Sequence, residues 1–501
     1  MPNPFSVLVA LGALTLASRA AQPNVIFICV DDLKPLTHSY GDPFAQTPNL
    51  DRLAARGVQF NRAYCNQAVC GPSRYNLMLG SRSTSSGIYH FGRDFRRGFP
   101  DAVTLPQYFK LHGYTAVSVG KVYHVGHGSY DDEASWSVPP YHDKVIEYLL
   151  PESSEGGKLT REEALFGNIK RSVPVNELTR GSAFECVDVP DNAYGDGRVA
   201  TEAVRRLAEF KRTGEKFFFA VGFARPHLPF TAPKKYWDLY DRAKLPLAEN
   251  PRPPTGAPAF ALKGIMELNQ FAEVPVQPPL SEELQRKLIH GYYAGVSYVD
   301  AQIGRVLTAL QEEGLSENTI VVVWGDNGYS LGTHGDWTKH SNYEQANRIP
   351  VIFAGPGITQ GAQTQALLET VDLYPTLGDL AGLGAPAGPQ PMDGISQLSV
   401  LKNPARAKGK DYVYHAFPRP RPRNGGDWIG RAIRTDRYRF VEWRPFDASA
   451  GQPEYELYDY ETDPLEATNL AKRNPELFER FRGLLAKEPS PRLPLKPAVM
   501  N

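Results

Sequence analysis

The chain has 501 residues, enough for one large domain with a smaller companion or for as many as three domains. Lys plus Arg and Asp plus Glu balance at 55 each, which excludes a global field that would draw in nucleic acid or an acidic membrane, so any anion site has to be a local cluster. Four cysteines, Cys29, Cys65, Cys70 and Cys186, are too few for a disulfide framework in a chain of this length.

Residues 1–21 open with an apolar run from Phe5 to Ala17, followed by Ser18-Arg19-Ala20-Ala21, which resembles a peptidase site. The run is shorter than the ~20 residues of a spanning helix. It is expected to be an export signal rather than an anchor, with the mature chain periplasmic or secreted, or lysosomal in a eukaryote, and without stable membrane association. Asn24 to Val30 is β-branched and apolar without alternation, as in a strand covered on both faces, and it ends on Asp31-Asp32. Thr47-Pro48 then opens a helical pattern with Leu50, Leu53 and Ala54 on one face and Gly57 expected just past its end.

The strand pattern recurs. Ala116 to Val119 leads to Gly120-Lys121, Phe217 to Phe223 leads to Arg225-Pro226-His227, and Thr319 to Trp324 leads to Gly325-Asp326-Asn327-Gly328. In α/β sheets ligands collect beyond the carboxyl ends of strands, so these polar termini are expected to converge on one pocket. The Pro-rich stretches Ser137 to Pro190 and Pro246 to Pro279 are too long for ordinary connections and are candidates for shaping a substrate site, or equally for surface decoration. Leu284 to Glu313 predicts a long helix. Cys29 is expected in a core strand. Beyond about Ala405 the texture changes to short strand-like runs, Tyr412 to His415, Arg431 to Arg434, Tyr438 to Trp443 and Tyr455 to Tyr458, and then a helix near Pro475 to Lys487. We therefore expect an α/β catalytic domain over residues 22–400 and a smaller α+β subdomain with an antiparallel sheet over 401–501.

Asp31, Asp32, Asp326 and Asn327 offer three carboxylates and an amide oxygen, hard ligands suited to calcium or magnesium, and no Cys/His pair has zinc-finger spacing. Two acids after one strand usually read as a turn or cap. A second strand end carrying Asp-Asn-Gly makes a metal site the better reading. Cys70, taken alone, reads as a small buried hydrophobe, just as His124, His227, Lys121 and Lys339 read singly as structural or surface residues.

Cys70-Gly71-Pro72-Ser73-Arg74 matches the C-x-P-S-R signature of the formylglycine-dependent sulfatases, in which an oxidised Cys supplies the nucleophile. The resemblance extends through Val30-Asp31-Asp32-Leu33, Gln67-Ala68-Val69-Cys70, Leu105-Pro106-Gln107-Tyr108-Phe109, Gly120-Lys121-Val122-Tyr123-His124, Arg225-Pro226-His227-Leu228-Pro229-Phe230, Leu331 to Lys339 and Phe417-Pro418-Arg419-Pro420. Within that family it is nearest to the iduronate 2-sulfatase type. Asn327 stands where that type tends to carry His, and Leu79-Gly80-Ser81-Arg82 lacks the Thr of the usual downstream L-T-G-R.

The resemblance implies an alkaline phosphatase-like mixed sheet sandwiched by helices, and a maturation enzyme that converts Cys70 to formylglycine. It implies one calcium ion held by Asp31, Asp32, Asp326, Asn327 and the modified Cys70. Arg74 would steady that cluster. Lys121, Lys339 and His227 would hold the sulfate and leaving-group oxygens, with His227 or Lys339 protonating the departing alkoxide, and His124 would be the base that releases sulfate. The substrate would be a sulfated carbohydrate, exo-cleaved at a 2-O-sulfated uronic acid of a glycosaminoglycan or related polysaccharide, with Trp337 stacking on the sugar. Two alternatives stay open: a phosphodiesterase or phosphonate monoester hydrolase on the same scaffold, and a non-catalytic binder of sulfated glycans. His38, His127 and His334 lie near these motifs without an assigned role.

Overall fold

A computed structural model describes residues 22–143, 148–386, 388–421 and 426–497; the expected export segment, residues 1–21, lies outside the described residues. β1 (Asn24–Val30) is buried along its whole length. Its side chains alternate between two cores. Ile26, Ile28 and Val30 pack against the helices Gly195–Thr213 and Glu282–Glu312, whereas Val25, Phe27 and Cys29 pack against Cys70–Leu79 and Leu105–Leu111. A strand with helices on both faces needs apolar residues at every position, which is why its sequence does not alternate. Each such Val or Ile contributes about 1.5–3 kcal/mol on burial.

The remaining strands of the large sheet are β2 (Gly57–Tyr64), β3 (Thr115–Gly120), β5 (Phe217–Phe223), β7 (Thr319–Gly325), β8 (Arg348–Ala354) and β9 (Ala362–Glu369), in the order β3-β5-β1-β7-β8-β2-β9. β4 (Phe184–Val187) and β6 (Phe230–Pro233) form a separate parallel pair. β3, β5, β1 and β7, the four strands expected from sequence, lie side by side and all parallel. β8 runs antiparallel to both β7 and β2, and β9 runs parallel to β2, so the sheet is mixed as expected. The register pairs Gly120 with Gly222 and Val30 with both Phe223 and Gly325. The residues that follow β3, β5, β1 and β7 therefore emerge along one edge.

Two local expectations are corrected. Gly57 is not the end of a helix: Pro48–Ala54 closes at Ala55, and Gly57 begins β2. A Cβ there would stand 1.9 Å from the Phe353 carbonyl oxygen, so this glycine permits the close approach of β8. β2, β8 and β9 were not anticipated. Pro350 argues against a strand, yet the β2–β8 register jumps from Phe60 opposite Val351 to Ala63 opposite Ile349, a bulge that removes the need for a donor at Pro350.

The long helix runs from Glu282 to Glu312, with Ser281 Oγ accepting from Leu284 N at 3.2 Å. Its Gly291 and Gly295 are contact points. A Cβ at either would meet Phe230 or Pro226, so they allow the segment after β5 to lie on the helix.

The second sheet is antiparallel, β10 (Val413–Arg421), β11 (Gly426–Arg434), β12 (Tyr438–Pro445) and β13 (Glu454–Asp459). One face packs Ile433, Phe440 and Leu457 on Phe481 and Leu485 of the helix Pro475–Leu485. The other packs Trp428, Val441 and Trp443 against Ala261 and Tyr343 of the larger part. Among the described residues no helix is long and apolar enough to cross a membrane.

Candidate active site

Asp31 and Asp32 leave β1 on consecutive residues, which in an extended chain would point to opposite sides. Asp32 instead adopts φ 59°, a left-handed conformation that Asp tolerates, and its N–H donates to Asp326 Oδ1 at 3.0 Å. Asp31, Asp32 and Asp326 thus present carboxylate oxygens within 4.8 Å of one another, all fully buried. Asn327 joins them by donating from Nδ2 to Asp32 Oδ1 at 2.7 Å.

Cys70 is the first residue of the helix Cys70–Leu79, all of it buried, and its Sγ lies 3.8 Å from Asp32 Oδ1. Burial and the neighbouring Asp31 push the thiol well above its ordinary range, so as a thiol it is no nucleophile. Arg74 follows one turn later on the same face. Its Nε and Nη2 each lie 2.9 Å from Asp326 Oδ2, Nη2 lies 3.4 Å from Asp31 Oδ1, and Nη1 donates to the carbonyls of Lys121 and Val122.

Lys121, just past β3, pairs with Asp31 Oδ2, and Lys339 reaches Asp32 Oδ2 at 2.9 Å. Three buried cations therefore face three buried carboxylates. Burial alone would raise the Asp31 carboxyl, but Lys121, His227 and Arg74 hold it well below its usual range. Burial and Asp31 push Asp326 up in spite of Arg74.

On the Cys70 side, His124 Nε2 lies 3.2 Å from His127 Nδ1, and the His124 ring stacks on Phe91 at 4.6 Å. Burial, Lys121 and His127 hold His124 well below its normal value, so it stands as a neutral base. A ring nitrogen of His227 falls within 4.8 Å of both Cys70 Sγ and an Asp31 oxygen; His227 Nε2 lies 3.8 Å from Asp32 Oδ2 and 3.5 Å from Glu267 Oε1, while its Nδ1 is 2.5 Å from the Leu228 carbonyl. Lys339 also reaches Glu267 Oε1 at 2.6 Å.

The structure thus brings together Asp31, Asp32, Cys70, Arg74, Lys121, His124, His227, Asp326, Asn327 and Lys339. The oxygens fit a hard cation on an independent observation: Asp31 Oδ1 and Asn327 Oδ1 are buried without a hydrogen-bond partner, and such orphaned acceptors are costly unless something else satisfies them. Asp31, Asp32, Asp326 and Asn327 are the residues that would hold it, with Cys70 beside them.

Other positions came only from the fold. Glu267 sits in the insertion from Pro246 to Pro279. Phe166 ends the helix Arg161–Phe166 in the other insertion; its ring lies under Lys121 Nζ at 4.6 Å and 5.4 Å from the His227 ring. The capping box of Thr160 and Glu163 is the one sequence signal that could have located that helix. His127 lies in the site, whereas His38 is exposed beside Asp51, and His334 is buried beside Glu466. Trp337 is corrected: it is 4 % exposed and packs in the main core under Gly332, so it has no face for a sugar. Arg93 and Lys263, each half-buried, have no ion-pair or hydrogen-bond partner among the described residues, and both lie within electrostatic reach of His90, Lys263 also of Glu267 and Lys339.

A family model described as Sulfatase matches residues 23–383, and one described as N-sulphoglucosamine sulphohydrolase, C-terminal, matches residues 332–485. Iduronate 2-sulfatase of Mus musculus is 33% identical over 538 residues, covering 93% of this chain and 95% of that protein. Among solved structures, a phosphonate monoester hydrolase of Agrobacterium radiobacter is similar with a TM-score of 0.69 at 22% identity, covering 93% of this chain and 95% of that one. A 2-O GAG sulfatase is similar with a TM-score of 0.66 at 24% identity, covering 93% and 91%. At those identities the two structures speak for the fold alone.

Proposed function

The chain belongs to the sulfatase family, and on that footing we propose that it removes the sulfate ester from a 2-O-sulfated uronic acid, acting from the end of a glycosaminoglycan or related polysaccharide. The observation that carries the sulfatase chemistry is the position of Cys70, 3.8 Å from Asp32 within a ring of buried carboxylates and cations. Cys70 oxidised to formylglycine supplies the attacking oxygen as its hydrate. A calcium ion, when bound by Asp31, Asp32, Asp326, Asn327 and the modified Cys70, supplies Lewis-acid neutralisation of sulfate charge and eases ionisation of that hydrate.

The protein's own groups do the rest. Arg74 fixes the Cys70 helix to Asp326 and Asp31. Lys121 faces where sulfate oxygens gain charge. His124, neutral and next to the Cys70 helix, takes a proton on the nucleophile side, and His227 with Lys339 serves the ester oxygen on the other. The uronic acid rests on the 33% likeness to iduronate 2-sulfatase and on the unpaired Arg93 and Lys263, which suit a second negative group on the sugar.

Because Cys70–Leu79 is buried throughout, a formylglycine-generating enzyme has to meet this segment before the fold closes. Residues 1–21 would serve as the signal that exports the chain to the periplasm or the medium.

The test is sulfate release by matured protein from sulfated uronic acid, hexosamine and galactose saccharides, beside Cys70→Ala and chelator-treated controls. Release from the 2-O-sulfated uronic acid alone supports the reading. Release from another sugar moves the substrate, and an active Cys70→Ala protein overturns the mechanism.

A further inference from the structure

Glu267 belongs to none of the motifs that identify the site, yet it touches both groups on the leaving-group side. It immediately precedes the turn Leu268–Gln270, whose Leu268 is fully buried and anchors the insertion in the main core. Its Oε1 accepts from Lys339 Nζ at 2.6 Å and lies 3.5 Å from His227 Nε2. Its Oε2 lies 3.6 Å from His340 Nδ1 and is buried without a hydrogen-bond partner.

The placement of this charge needs a reason. A carboxylate where sulfate oxygens bind would repel the substrate, and a buried acceptor without a partner is costly. Against the neutral bridging oxygen of an ester the objection falls away, and a carboxylate that grips two donors fixes their direction. The Leu228 carbonyl occupies His227 Nδ1, so Nε2 is the nitrogen left for the ester oxygen, and Glu267 Oε1 stands 3.5 Å from it as a charge beside that donor. Asp32 also contacts Lys339 and His227, but Asp32 is one of the proposed metal ligands. Among the described residues, Glu267 is the carboxylate outside that set in contact with both.

We propose that Glu267 is a positioning residue for departure of the alcohol: it aims the Lys339 ammonium and the Nε2–H of a protonated His227 at the ester oxygen. This rests on the assignment of those two residues to the leaving-group side. As the nucleophile's bond to sulfur forms, the bond from sulfur to the sugar oxygen breaks, its electron pair goes to that oxygen, and one of the two aimed donors passes it a proton. A sugar alkoxide is a strong base and depends on that proton, whereas 4-nitrophenolate leaves without it.

The experiment uses matured, calcium-loaded enzyme and its Glu267→Gln and Glu267→Asp variants, each assayed on the sulfated sugar and on 4-nitrophenyl sulfate, with inhibition by inorganic sulfate measured in parallel. Glu267→Gln is expected to lower kcat on the sugar sulfate about 10- to 100-fold, part of the ordinary contribution of acid–base groups. The rate on 4-nitrophenyl sulfate and the inhibition constant for inorganic sulfate should change less than about threefold. Glu267→Asp should show the same selectivity at smaller size. Equal losses on both esters, a parallel weakening of sulfate inhibition, or an unchanged sugar rate would overturn the proposal. If the aryl ester is not turned over, the sulfate inhibition decides. An active Cys70→Ala control would sink the underlying reading instead, so the two failures are distinguishable.

Discussion

Arg74 lies four residues beyond Cys70, and two of its nitrogens stand 2.9 Å from the same oxygen of Asp326. This pair ties the start of the Cys70 helix to the end of β7. Both side chains are fully buried, so the contact is shielded from salt and water, and Arg74 also closes on the carbonyls that follow β3. One side chain therefore joins the helix, β7 and the Lys121 turn.

Removing one partner from such a pair leaves a buried charge uncompensated. Arg74→Ala is expected to lose about 3–5 kcal/mol of stability, and Arg74→Lys, which lacks the planar fork, to lose much of it too. Denaturant midpoints of the unmatured proteins would show this, and a loss below ~1 kcal/mol for Arg74→Ala would mean that the pair is not what holds the helix.

The orphaned oxygens of Asp31 and Asn327 make a prediction about metal. Calcium should bind the native protein and, at a hundred times its dissociation constant, add about 2.7 kcal/mol of stability. Asn327→Ala should weaken that binding at least tenfold, and Asp31→Asn should abolish it. Calorimetric titration of apo protein checks this; unchanged affinity in both variants would remove these residues from the ligand set.

His415 supplies a pH dependence away from the candidate metal residues. It is buried in β10, 3.1 Å from Asn342 Oδ1, and burial together with Arg439 lowers it from 6.5 to about 3, with Glu344 and Glu369 opposing and Arg434 reinforcing. The folded state keeps it neutral while the unfolded chain takes up a proton near 6.5, so stability from this group is full above that value and falls as pH drops toward 3. By pH 5 the loss is about 2 kcal/mol. His415→Gln should cost stability at pH 7.5 yet lose about 2 kcal/mol less than the parent between pH 7.5 and 5.0. Parallel losses in urea midpoints would assign the acid sensitivity to other groups.

Lys263 and Arg93 predict selectivity. If they meet the carboxylate of a uronic acid, Lys263→Ala should raise KM on that substrate about 10- to 150-fold, the range of a charged hydrogen bond worth ~1.5–3 kcal/mol. A neutral sulfated hexose should be affected less than about threefold. Equal effects on both sugars would remove Lys263 from substrate recognition.

Much of this site was legible before the fold. A strand buried on both faces must be apolar throughout, so Asn24–Val30, Phe217–Phe223 and Thr319–Trp324 announced themselves, and polar residues at their ends implied a shared edge. The motif around Cys70, through its resemblance to the family signature, did the same for the candidate nucleophile. β2 and β8 were hidden because a bulge and Pro350 break the patterns that mark strands, and only the register across the two explains why proline is tolerated.

The sequence by itself named the candidate groups that the fold gathers, because Asp31, Asp32, Asp326 and Asn327 follow strand ends and Cys70, Arg74 and Lys121 sit in motifs that resemble those of the family. Only the tertiary structure decided what surrounds them. Glu267, Phe166 and Lys263 come from inserted segments with no periodicity, and Trp337, which the chain offered as a sugar platform, lies inside the core. Local sequence dictates short-range geometry. Whether a residue far along the chain meets the site or turns away is settled by the packing of whole elements, and no window of neighbouring residues contains that information.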